Sequence, residues 1–389
     1  MSRYVITDYG VKENSTALQT KEIQAVLDKC KNGGGTVVIP RGRFYTAALY
    51  MHSDTTLYLE SGAELYGSDE CDDYEVFRVP DGVPMRSDME LIPQQYNYQP
   101  WETYRRAIIS AYGEKNISII GECGSVIDGQ NCFDPDGEEH YRGPHAVFLT
   151  SCENVLFEGY TARHSGNFLH EANNCKSLTM RRVTCLGGSD GIHLHCTEDA
   201  LIEDCLFKTG DDCIAGINIK NLLVRRCVLN TSCNVFRIGG IGIRVEDTYV
   251  YGPGYYPHRM TVVKGKNSEL PRTEGRHNTY HLVEYFASET FPSDPADITF
   301  KNCVVENIHA ALHYFADESK MLHKGAYLES FTLENVRFTD LKGASKPQAS
   351  EKMPLTVVLK NVTAEFVDEA PVKELFSKEN MKNTVITEE

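Results

Sequence analysis

The sequence predicts an all-β fold, a parallel β-helix (solenoid) closed at one end by an N-terminal capping helix. The first observation behind this is a repeat. From Asn116 onward a short motif of alternating apolar residues recurs, often introduced by Asn: NISIIG at 116, NVLFEG at 154, SLTMRR at 177, ALIEDC at 200, NLLVRR at 221, GIRVED at 242, DITFKN at 297 and SFTLEN at 330. The second is its period. Starts from 154 to 242 lie 23, 23, 21 and 21 residues apart, and a fixed period just above 20, with strands and turns in each unit, marks a β-solenoid whose coils bury their apolar faces only by stacking. The third is the scarcity of helical periodicity, confined to Ile23, Val26, Leu27 and Cys30 and stopped by Gly33, Gly34 and Gly35.

Each element follows in order. Residues 4–10 read as a short strand, about 16–31 as the amphipathic helix, and TVVIP, TTLYLE and AELYGS as β-rich segments. The helix and its flanks, about 4–35, form the cap that a bare solenoid end needs to cover its core and strand edges. Wider gaps of 38 residues before 154, 55 before 297 and 33 before 330 hold projecting loops. The stretches 79–105 and 252–280 are the main ones, the first carrying Trp101, Tyr96, Tyr98 and Tyr104. An antiparallel sandwich also contains many short strands, but it would show hairpin turns at irregular spacing, and Asn-Gly or Asp-Gly turns are not the dominant punctuation here. One domain is expected over 1–368, followed by a charged C-terminal tail at 369–389.

Composition restricts the function. A net charge of −16 over 389 residues, without a basic cluster, argues against nucleic acid and anionic membranes as partners and against a long polyanionic substrate. No apolar run approaches a membrane span and the first residues do not read as an export signal, so a cytoplasmic location is expected. The thirteen cysteines show no CxxC pair and no ligand spacing for a metal. Cys175, Cys196, Cys205, Cys213, Cys227 and Cys303 recur beside strand-like segments, as small buried thiols.

Chemistry concentrates in GGSDGIHLH at 187–195 and TGDDCIAG at 209–216. Asp190 lies 13 residues beyond the strand start at 177, Asp212 lies 12 beyond 200, and Asn234 lies 13 beyond 221. These offsets predict a column. With strands about 4.8 Å apart, Asp190, Asp211 and Asp212 stand close enough to repel, and at least one should hold a proton near neutral pH. A protonated carboxyl beside an ionised one is what glycosidic hydrolysis requires. Strand parity would turn Asp190 inward with Ile192, Leu194 and Cys196, so a bend at Gly191 is needed. His193 and His195 should face outward beside Asp190. His145, His164 and Asn167 lie one or two coils toward the N-terminus, and Arg237 is placed to bind a hydroxyl or carboxylate or to neutralise the aspartates. Substrate contacts are expected from His193, Asn234, Arg237, His145 and Asn167.

GSDGI and GDDCIA resemble the N-T-D-G and D-D-C-I-A motifs of the polygalacturonases, glycoside hydrolase family 28, and YVITDYG, GGGTVVIP, TLYLESGAELYGS and SVIDGQ extend the likeness over roughly residues 4–240. The resemblance implies a right-handed parallel β-helix and hydrolysis with inversion, without a cofactor. It also implies Asp211 as general acid, with Asp190 and Asp212 holding the attacking water. The chain departs from the family at three places: Gly188 and Ser189 replace Asn and Thr, SCNVFRIGG at 232–240 has no histidine where G-H-G is expected, and HRMTVVKG does not read R-I-K although Arg259 and Lys264 lie near the expected distance. The expected substrate is therefore a short oligosaccharide, with polygalacturonate a poor one. Two other functions are compatible with the sequence: a Ca²⁺-dependent polysaccharide lyase in which Arg237 takes the proton, and a glycan-binding β-helix without catalysis.

Overall fold

The computed structural model describes residues 2–76, 106–137, 141–259, 275–285, 296–317 and 327–388. Trp101 and its neighbouring tyrosines, Lys264, and most of the two projecting segments lie outside the described residues. All named strands pair in parallel, forming among the described residues one sheet of twenty strands and another of eleven. Each strand pairs with its counterpart one coil later: Val155 opposes Leu178, Leu178 opposes Ala200, Ala200 opposes Leu222 and Leu222 opposes Ile243, which gives coils of 23, 22, 22 and 21 residues. The chain is therefore the predicted right-handed parallel β-helix.

The Asn that introduces so many repeats has a structural reason. Asn116, Asn154 and Asn221, at repeat starts, and Asn302, Asn335 and Asn361, just after the strands, all have φ between 51° and 58°, a left-handed conformation that Asn tolerates better than most residues. At these two corners the amides stack: Asn154 donates to Asn116 at 3.0 Å at the first, and Asn335 to Asn302 at 3.1 Å and Asn361 to Asn335 at 2.9 Å at the second. Inside the coils, Val155, Leu178, Ile202, Leu222 and Ile243 join one continuous core. All thirteen cysteines are free, and of the six expected thiols five are buried. Cys196 is the exception. It follows the strand Ile192–His195 with a φ of 49°, which turns it off the inward-facing row and leaves it half-buried.

The cap is shorter than its sequence pattern suggests: an α-helix at Thr20–Leu27 continues as a single 3-10 turn at Asp28–Cys30, with Ile23, Val26, Leu27 and Cys30 all in the core. Residues 16–19 are excluded because Gln19 hydrogen-bonds the backbone of Lys12, holding that segment in a turn. The tail from residue 369 adds a strand of its own, Thr384–Glu388, which pairs with Leu355–Lys360, and it buries Phe376. No helix among the described residues is long and apolar enough to cross a membrane.

The corner ladder makes a stability prediction. Asn335→Ala should destabilise the protein by about 1–2 kcal/mol, since it loses both the left-handed tolerance and the stacked amide, while Asn335→Gly should cost less. Denaturant midpoints of the two variants check it. Equal losses would mean that the backbone conformation contributes nothing.

Candidate active site

Register brings the three aspartates together. Ile192, Ile214 and Phe236 oppose one another in successive coils, so the residues two positions earlier, Asp190, Asp212 and Asn234, form the column that the offsets predict. Gly191 donates to the Asp212 carbonyl at 3.0 Å and Cys213 to that of Asn234 at 3.3 Å. A bend at Gly191 turns the chain, so that Ile192 and Leu194 enter the core while His193 and His195 take the opposite face. One oxygen of each of Asp190, Asp211 and Asp212 lies within 4.8 Å of the others.

The column is roofed by residues 257–259. A Cβ on Gly210 would sit 2.0 Å from the Pro257 carbonyl, and one on Gly188 would meet Arg259 at 3.2 Å, which explains why small residues flank the aspartates here. Arg259 is occupied elsewhere. Its guanidinium donates to the Ser165 carbonyl at 2.7 Å, the Asn131 side chain at 3.2 Å and the Asn131 and Cys132 carbonyls at 3.3 and 3.4 Å. It clamps loops from two coils, and burial lowers it to about 10.

The three carboxyls have different surroundings and so different proton affinities. Burial raises Asp190 well above the usual carboxylate range, and the charges of Asp211 and Asp212 add to this. Its Oδ2 meets His193 Nε2 at 2.7 Å, while Oδ1 is buried without a hydrogen-bond partner among the described residues. Asp212 is likewise raised by burial and by Asp211, to about 6, against the opposing pull of Arg237 and Asn234. Asn234 gives its Oδ1 two hydrogen bonds, from the backbone at 3.0 Å and the amide at 3.1 Å. Asp211 goes the other way. Burial would raise it too, but His258 Nε2 at 3.2 Å and Arg142 at 2.8 Å hold it well below the usual range.

Arg142 and His258 were not singled out by the sequence, and neither had a local signal: they come from 69 residues before and 47 residues after Asp211, on connections between coils. Their placement gives His145 and Asn167 a role one step removed from the aspartates. Asn167 accepts from Arg142 at 3.2 Å and donates toward His145 at 3.3 Å. His164 instead faces Asp128 at 3.4 Å, apart from the column.

On the outer face, register runs Phe148, Glu171, His193, Ala215, Arg237, Glu284, His313. His193 stacks on Phe168 with centroids 4.0 Å apart and contacts His195 at 2.6 Å through its second nitrogen. Burial first, then the charges of His195, Arg237 and Arg142, hold His193 well below its usual value. Among the described residues, three groups bring potential metal-ligating atoms within 4.8 Å: Glu171 with His193 and His195, Asp211 with Cys233 and His258, and the aspartates themselves.

Residues 84–252 match the family described as Glycosyl hydrolases family 28. An exo-poly-alpha-D-galacturonosidase from Dickeya chrysanthemi is 25% identical over 256 residues, covering 54% of this chain and 41% of that protein. A polygalacturonase from Nicotiana tabacum is 22% identical over 313 residues, covering 78% and 67%. The chain spans less than half the length of the first two curated relatives, 41% and 48%. A family 28 exopolygalacturonase from Yersinia enterocolitica shares the fold with a TM-score of 0.64 at 19% identity, over 99% of this chain and 78% of that one. The segment that builds the aspartate column thus matches the glycosyl hydrolase family 28 model, and the chain shares its right-handed parallel β-helix fold with a family 28 exopolygalacturonase.

Proposed function

We propose that this protein is a glycosidase that hydrolyses a glycosidic bond of a pectin-like oligosaccharide by general acid/base chemistry across Asp190, Asp211 and Asp212, without a cofactor. The observation that carries the reading is that three carboxyls lie within 4.8 Å of one another in unequal surroundings, Asp211 against Arg142, Asp190 against His193 and Asp212 against the Asn234 amide, because such contacts separate their proton affinities and give one site a proton to donate and a carboxylate to receive one. In the division that the family resemblance implies, Asp211 protonates the leaving oxygen and Asp190 with Asp212 activates water. The ion pair between Arg142 and Asp211 favours a second division, in which Asp190 is the donor and Asp211 and Asp212 form the base side. Asp212 is a base-side carboxylate in both. His193, Arg237 and Asn234 border the reacting position, with Asn167 and His145 supporting it from behind Arg142.

Spacing bears on stereochemistry. Nearest oxygens within 4.8 Å are closer than the roughly 6.5–9.5 Å between carboxyls in inverting glycosidases and nearer the roughly 5 Å of retaining ones. Inversion is the outcome we propose, because the base side consists of two carboxylates that can hold water beside the sugar. The anomer formed first, read by NMR, tests it. A retained anomer would make one aspartate a nucleophile.

Asp190→Asn, Asp211→Asn and Asp212→Asn should each fold and each lose turnover by about 10²-fold or more. On a glycoside with an activated leaving group the donor variant alone should recover, which separates the two divisions. Near-normal turnover in all three would make the cluster structural. Loss on chelation, with an unsaturated product absorbing in the ultraviolet, would select a lyase.

Substrate choice follows from the charges. Arg259 is held by carbonyls and Arg142 by Asp211, which leaves neither of them to compensate a buried uronate. Polygalacturonate should turn over more slowly than short neutral or singly charged oligosaccharides in a comparative panel. Efficient internal cleavage of the polymer would overturn this.

A stability prediction needs no substrate. A carboxyl raised to about 6 binds protons more tightly folded than unfolded, so its contribution is present at low pH and lost as pH rises from about 4 through 6. Asp212→Asn should therefore raise stability at pH 8 by about 1–3 kcal/mol and change it little at pH 4. Unfolding midpoints at the two pH values decide the sign.

A further inference from the structure

We propose that His281 is a positioning residue for Asp212, acting through the side-chain amide of Asn234. An asparagine amide presents an acceptor on one side and a donor on the other, and only one orientation is useful to a carboxylate. Asn234 Nδ2 lies 3.1 Å from Asp212 Oδ1, and Asn234 Oδ1 lies 3.1 Å from His281 Nδ1. The same imidazole nitrogen is 3.5 Å from Glu284 Oε2. An amide oxygen only accepts, and so does an ionised carboxylate. His281 Nδ1 must then carry the hydrogen, and that hydrogen holds the amide oxygen away from Asp212. Turning the amide over would set its N–H hydrogens against the imidazole donor and its carbonyl oxygen against a carboxylate.

The neighbours of His281 keep this arrangement in place. Burial would raise Glu284, but the hydrogen bonds from His281 and His313 outweigh it and bring it to about 2, so it is ionised across the working pH range. His313 Nδ1 binds Glu284 at 2.8 Å, and its ring stacks on that of His281 with centroids 5.1 Å apart. His309 meets the His281 ring edge-on at 6.2 Å and Tyr280 lies beside it at 6.2 Å. The His281 carbonyl accepts from Val235 at 2.9 Å, which ties the imidazole's own backbone to the coil that carries Asn234. Around Asp212 the charged groups are Asp211, Asp190 and Arg237. The segment 232–240, which lacks the histidine expected from the family motif, is thereby served by a histidine from the next coil.

The inference rests on the reading of Asp212 as a base-side carboxylate. A donor that stabilises ionised Asp212 lowers its proton affinity, so losing that donor raises it, and the acid limb of kcat/KM should move to higher pH. A hydrogen bond to a charged group is strong enough to move the limb by about one pH unit. His281→Phe and Asn234→Ala should each produce that shift. The double variant should shift no further than Asn234→Ala, because His281 acts only through the amide, and His281→Gln, which can still donate, should restore much of the wild-type limb.

The experiment is the pH dependence of kcat/KM for these variants on a verified oligosaccharide, with Asp212→Asn alongside and ¹⁵N spectra of the wild-type histidines. A limb unmoved by His281→Phe, or a double variant whose shift is the sum of the singles, overturns the inference. So does a neutral His281 ring carrying its hydrogen on Nε2, a result that needs no variant to fold. Turnover surviving Asp212→Asn would overturn the reading of the site and the inference with it. An inactive Asp212→Asn beside an unshifted His281→Phe would overturn the inference alone.

Discussion

Hydrogen bonding between parallel strands one coil apart is the constraint on which the rest depends. It sets successive coils about 4.8 Å from one another, and a coil of 21–23 residues returns the chain to the same point of the cross-section. Residues far apart in sequence then become neighbours with a fixed register. Asp190, Asp212 and Asn234 stand in line because Ile192, Ile214 and Phe236 do. The apolar core that holds those strands together therefore also determines the spacing of the carboxyls. A change in coil length between them would shift the column and dismantle the site.

Burying three carboxyls so close together opposes folding unless cations or protons compensate. The protein uses both. Arg142 neutralises Asp211 directly while His258 lies 3.2 Å from it, Arg237 acts on Asp190 and Asp212 from the adjoining row, and the remaining charge is reduced by raised proton affinity at Asp190 and Asp212. The result is a gradient of acidity across a few ångströms, set by which carboxyl has a cation in contact. Asn234 adjusts it further, since it donates to Asp212 and not to Asp190. The stability lost to this crowding is the expected counterpart of a reactive site.

Much of this was legible in the sequence because a solenoid makes sequence distance and spatial position proportional. The repeats gave the coils, the Asn at the starts 116, 154 and 221 marks a left-handed corner, and offsets of 12 or 13 from the strand starts placed Asp190, Asp212 and Asn234 together. Groups carried on connections between coils were not legible. Arg142 reaches Asp211 from the loop before the strand His145–Thr150, His258 from the segment after Tyr249–Tyr251, and His281 from beyond the 252–280 excursion. No periodicity fixes where such segments return. Arg259 illustrates the same limit: it lies near the distance expected of the family's R-I-K arginine, the sequence around it does not read as that motif, and its guanidinium is held by backbone carbonyls. The strand Thr384–Glu388 was missed because its charged surroundings mask a short alternating pattern that docks on an existing edge.

The central claim is that contacts of unequal kind split the proton affinities of three stacked aspartates. Titrating the side-chain carboxyl carbons of Asp190, Asp211 and Asp212 by ¹³C NMR in the substrate-free protein tests it most directly. Three separate behaviours are expected: Asp211 ionised down to the lowest pH at which the protein stays folded, Asp212 changing state near 6, and Asp190 holding its proton well above the usual carboxylate range. Three carboxyls titrating together in the usual range near 4 would contradict it, and would leave the column a feature of the fold without the chemistry assigned to it.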